Sequence, residues 1–147
     1  MSHTTTVNSV ALVSKSAIQA AVRDLKGLGI KCDLLENATP RAYYSNQDGM
    51  GEADMVLKLN DALYDVGLYK NDKGHYEART DFFAGSVGNV LGVEASTGTS
   101  HEQAQLGKFF QAYATRAVEE QAFAQGYMVN HARNADGTVV MTLSSAA

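Results

Sequence analysis

Residues 54–81 read DMVLKLNDALYDVGLYKNDKGHYEARTD, and the class of the protein turns on how they alternate. Met55, Leu57 and Leu59 point one way and Asp54, Val56 and Lys58 the other, the period of a strand. Asn60-Asp61 marks a tight turn, and Leu63 through Tyr69 returns beside the first run, with Tyr64, Val66 and Leu68 on the core side. Asn71-Asp72-Lys73-Gly74 suits a type I turn closed by a left-handed glycine, and His75 through Asp81 forms a third run. Two short turns between three alternating runs predict an antiparallel meander.

Upstream, the β-branched opening from Thr4 to Leu12 reads as a first strand. Ser16 followed by Gln19 predicts a capping box, and Ile18, Ala21, Val22, Leu25 and Leu28 form the apolar stripe of a helix stopped by Gly27 or Gly29. Cys32-Asp33-Leu34-Leu35 and Ala42-Tyr43-Tyr44 suggest an irregular strand before a polar loop at 45–51. Downstream, residues 82–100 carry Gly85, Gly88, Gly92 and Gly98 and read as an inserted glycine-rich loop whose apolar members fold over the core. Ser100, with Gln103 three residues on, caps one long helix striped by Leu106, Phe109, Phe110, Tyr113, Ala117 and Ala124 and stopped by Gly126. Tyr127–Arg133 and Thr138–Leu143 flank Asn134-Ala135-Asp136-Gly137 as a second hairpin, and 144–147 form a frayed tail. The order β-α-β-β-β-β-α-β-β describes an α+β fold: a mostly antiparallel sheet with two helices packed on one face, in a single domain over 1–147.

The formal charge of −4 is unevenly spread: residues 51–100 carry −4 by themselves, against +1 before them and −1 after them. No stretch stacks Lys or Arg, which argues against a duplex nucleic acid partner. No apolar run is long enough to cross a bilayer, and the first residues lack the layout of a secretory signal, so the expected compartment is the cytoplasm. One cysteine, Cys32, excludes a disulfide framework. It follows a helix C-terminus, where the dipole disfavours a reactive thiolate.

Four residues converge as a candidate metal or small-molecule site. His75, Glu77 and Asp81 stand at spacings of two and four along one run, with Asp65 on its hairpin partner. Carboxylates and an imidazole on one face are ligands for a divalent ion. The alternative is a solvated polar face. His3 stands where an amino-terminal copper or nickel chelate would place it, but removal of Met1 before Ser2 would shift it out of register. The stretch Gly85-Ser86-Val87-Gly88-Asn89-Val90-Leu91-Gly92 lacks the Lys-Ser or Lys-Thr of a phosphate loop, and no serine sits in a nucleophile elbow. Tyr43, Tyr44, Tyr64, Tyr69 and Tyr76 fall on the expected sheet, where aromatics stack single-stranded bases, although the acidic surroundings oppose phosphate. No catalytic set and no cofactor motif emerges. An edge strand of the meander offers a route to a homo-oligomer.

Several stretches resemble a known family. They are Met1-Ser2-His3, Leu25-Lys26-Gly27-Leu28-Gly29, Ala53-Asp54-Met55-Val56-Leu57, Tyr64-Asp65-Val66-Gly67-Leu68, Asn71-Asp72-Lys73-Gly74-His75-Tyr76-Glu77, and Phe110-Gln111-Ala112-Tyr113 with Gly126-Tyr127. Together they resemble the proteins typified by hypothetical chloroplast reading frame 35 of plastids and cyanobacteria, a domain of unknown function also found in bacteria and phages. The resemblance implies the fold and no catalytic residue. Genes of that family often stand beside an AAA-type ATPase, which implies an accessory, protein-binding role. Residues 85–100 depart from the family pattern.

Overall fold

The computed structural model describes residues 4–42, 51–94, 100–133, 135 and 139–145. Five strands form one antiparallel sheet in the order β1-β5-β4-β3-β2, made of β1 (Thr4–Leu12), β2 (Cys32–Ala38), β3 (Ala53–Leu59), β4 (Val66–Lys70) and β5 (Tyr76–Asp81). β3, β4 and β5 are the expected meander: Leu57 lies opposite Val66, and Leu68 lies opposite both Met55 and Ala78. β1 and β2 close opposite edges, so the helix between them, α1 (Lys15–Gly27), must cross one face of the sheet. The α+β architecture read from the sequence is the one observed.

That face holds the core. Ile18, Ala21, Val22 and Leu25 of α1 meet Met55, Leu57, Leu59, Val66, Leu68 and Ala78 from the strands. α4 (Gly107–Ala124) adds Phe109, Phe110 and Tyr113 to the same cluster. Each buried side chain of this size contributes about 1.5–3 kcal/mol, which makes this layer the main source of stability. Arg116 of α4 donates to both carboxylate oxygens of Asp24 in α1 at 2.7 Å, fixing the two helices relative to one another.

α1 starts two residues earlier than a Ser16 cap would allow. Ser14 is the N-cap, in extended conformation, and its hydroxyl accepts from the Ala17 amide at 3.1 Å. Ser16 lies in the first turn instead, and its hydroxyl donates to Glu120. The Tyr113 hydroxyl accepts from the amides of Val13 (2.7 Å) and Ser14 (3.1 Å), so α4 supplies acceptors that the local sequence lacks.

The long helix expected from Ser100 is two helices, α3 (His101–Gln105) and α4, which meet at Leu106. Ser100 does cap α3, accepting from the Gln103 amide at 3.1 Å. The glycine-rich stretch corrects the sequence reading in part: residues expected as loop form α2 (Ser86–Leu91), with Val87 and Leu91 fully buried. The Val93 amide donates to the Ala104 carbonyl at 2.9 Å. A Cβ on Gly107 would meet Val93 Cγ2 at 2.2 Å, so a glycine there permits the approach of this segment to α4. Beyond α4, β6 (Tyr127–Arg133) and β7 (Val139–Ser145) pair, among the described residues, only with each other, and the strand extends through Ser144 and Ser145 where the sequence suggests a frayed tail.

Candidate functional site

The structure disperses the four residues grouped from the sequence. Asp65 precedes β4 and is 3% exposed. Its carboxylate accepts from Arg41 Nη2 (2.7 Å), Arg41 Nε (3.1 Å), the Arg41 amide (2.9 Å) and the Leu59 amide (3.2 Å). The same guanidinium donates to the carbonyls of Leu59 (2.6 Å) and Ala62 (3.2 Å), and Asp65 holds the Arg41 pKa above its usual value. Asp65 therefore anchors the segment after β2 to the β3–β4 connection, and Thr80 Oγ1 donates to its carbonyl at 2.8 Å. A carboxylate enclosed in this way is committed to structure.

Asp81 is buried at the end of β5, opposite Thr4. Glu77 lies four residues back on the same strand, about 13 Å away at the rise of a strand, too far to share one ion. His75 falls before the strand begins, where its amide donates to Asn71 Oδ1 at 3.0 Å and the Asn71 amide donates to its carbonyl at 2.7 Å. The turn interrupts the alternation on which the shared face depended. His75 and Glu77 do come together: with Ala11, Asn71, Asp72, Lys73 and Tyr76 they line an open cavity of about 350 Å³. It lies beside a break in the β1 register between Val7 and Leu12. Within it Asn71 Nδ2 donates to Glu77 Oε1 at 3.3 Å, and Arg79 reaches Glu77 at 3.8 Å. Among the described residues no group of three or more His, Cys, Asp or Glu is placed to hold a metal ion.

The tyrosines are separated as well. Tyr43 and Tyr44 lie outside the described residues. Tyr64 belongs to the core, and Tyr76 packs against it. Tyr69 lies on the opposite face, flat against Gly67, where a Cβ would meet its ring at 2.6 Å. The Arg79 guanidinium stacks 4.3 Å from that ring's centroid. Burial pushes the Tyr69 hydroxyl pKa up, opposed by the nearby Arg79 charge. Burial likewise raises the Cys32 thiol, which fits the unreactive role read from its position.

What the sequence reading missed is the surface of the C-terminal arm, here meaning β6, β7 and the last turn of α4. Phe123 is 69% exposed, and Tyr127, Met128, Val140 and Leu143 lie between 42% and 55%. By register Val129 opposes Leu143 on one face of the hairpin, while Met128 and Val140 stand on the other. Every described residue of that second face is exposed. The signal was present in the sequence: apolar residues occupy both parities of each strand, the pattern of a strand covered on both sides. Among the described residues no helix is long and apolar enough to cross a membrane. No protein-family model, curated protein or solved structure matches the chain.

Proposed function

We propose that this chain is a non-enzymatic accessory module that works by binding another protein through its C-terminal arm. One observation carries the reading: large apolar side chains stand in solvent on both faces of β6–β7 and at Phe123. A contiguous exposed apolar surface marks an interaction site more often than chance placement does. The hairpin packs against α4 but leaves its Met128 and Val140 face in solvent, so a partner would bury apolar surface there. By the resemblance stated above, an AAA-type ATPase is the first partner to assay.

The test is capture from a lysate of the parent cell on the immobilised full chain, followed by mass spectrometry. The same capture is run with Phe123→Asp/Met128→Asp, which alters exposed positions only. The reading expects a specific protein retained at micromolar concentration and lost from the variant. Equal recovery on both chains, or no specific protein on either, would sink it.

A further inference from the structure

Among the described residues the free strand edges belong to β1 and β2 in the large sheet and to β6 and β7 in the hairpin. Three of these carry features that discourage pairing with another chain. β2 bears Asp33 and Glu36, joined by Lys26 and Lys15 of α1, so charges of both signs dress that edge. β1 breaks register between Val7 and Leu12, and such an irregularity twists an edge away from a template. β6 includes His131 and Arg133. β7 differs from all three. Its sequence VVMTLSS holds no charge, no proline and no glycine, and Val139, Val140 and Thr142 are β-branched. Val140, Thr142, Leu143 and Ser144 are exposed.

We propose that β7 pairs antiparallel with β7 of a second copy of this chain across a twofold axis. The two arms then form one four-stranded sheet in the order β6-β7-β7-β6. This deepens the reading of the arm as the working surface and names one occupant of it. Twofold pairing needs a single self-complementary strand, and an uncharged one meets its own copy without like charges in opposition. The chain carries −4 overall, concentrated in residues 51–100, so electrostatics favour contact along this neutral strip over contact through the acidic strands. Four strands also pair the β7 edge that two leave open, adding to the support the hairpin has from α4. Val129 and Leu143 from both copies then lie on one continuous face. Arg133 on β6 disfavours further edge pairing, so the assembly closes at a dimer.

Thr142 is the central residue of β7 and is exposed, so it opposes its own counterpart near the axis. The full chain is run by size exclusion with light scattering at about 100 µM, well above a micromolar dissociation constant. Wild type is expected at twice the mass of one chain. Thr142→Lys and Thr142→Glu are each expected at the mass of one chain, with far-UV circular dichroism showing both folded. An equimolar mixture of the two variants is expected to regain the doubled mass. A wild type of single-chain mass, variants that stay dimeric, or a mixture that stays monomeric would each overturn the pairing. A monomeric wild type that still captured a protein through Phe123 and Met128 would overturn the pairing and leave the reading of the arm intact.

Discussion

β3 and β7 are both seven residues long, both rich in aliphatic side chains and both paired antiparallel, yet they differ in almost every energetic respect. In β3, Ala53, Met55, Val56, Leu57 and Leu59 are buried, whereas no described side chain of β7 is. Hydrogen bonding separates them in part, because β3 pairs along both edges and β7 along one. Cover separates them further: β3 is an interior strand with β2 and β4 on its flanks and α1 and α4 above, while β7 has β6 on one edge and slight contact with α4. Backbone pairing thus specifies the shape of both regions, and side-chain burial stabilises only one.

The sharpest way to break this contrast is the same substitution in both strands. Leu57→Ala should cost about 3 kcal/mol in urea unfolding, from lost transfer energy and a cavity in the core. Leu143→Ala, at an exposed position, should cost less than about 0.5 kcal/mol, measured on the monomeric Thr142→Lys background so that association does not enter. Similar costs at the two sites would show that the arm has cover of its own.

A smaller effect tests how the layer over β3 is held. Tyr113→Phe removes the hydroxyl that accepts from Val13 and Ser14, leaving two partly buried amides short of an acceptor. The expected loss is about 1–2 kcal/mol by the same unfolding measurement. A neutral outcome would mean that water replaces the hydroxyl and that α1 does not depend on α4 for its start.

The smallest effect is with pH and belongs to the body alone. Burial raises Cys32 and Tyr69, while Glu36 and Asp33 raise Lys15 and Lys26. The unfolded chain releases these protons at the ordinary values, the thiol first near about 8.5, while the folded chain still holds them. The contribution is therefore complete below that pH and declines as the pH rises through the higher folded values. Melting temperature should be level from neutrality to about pH 8.5 and fall above it. A level profile up to about pH 10.5 would contradict the assignment.

The strands were legible because alternation is a local signal, and Met55-Val56-Leu57 and Val66-Gly67-Leu68 carry it without help from distant residues. What escaped was set at long range. Ser16, with Gln19 three residues on, is the better cap by local sequence, and the start moves to Ser14 where Tyr113 of α4 accepts from the Val13 and Ser14 amides. Asp65 looked like a ligand because Arg41, its partner, lies 24 residues away in a segment that read as irregular. His75 looked like a strand residue until the Asn71 turn absorbed it. α2 has weak helical propensity, with Gly88 inside it, and forms because Val87 and Leu91 find the core. The arm was legible as a hairpin, but exposure depends on what is absent around it, which no strand pattern records.

The Tyr113 hydroxyl also has a consequence for the order in which the chain acquires its structure. The amide it satisfies at Val13 is 100 residues earlier, and β1 pairs with β5, far along the chain. During synthesis from the N-terminus, β1 leaves the ribosome before its partner strand exists, and α1 leaves before the acceptor at its start exists. Loop closure on this scale is slow and costly in entropy. β1 and the start of α1 are thus among the last elements to settle, and through that interval the amides of Val13 and Ser14 remain open to any factor that meets the nascent chain.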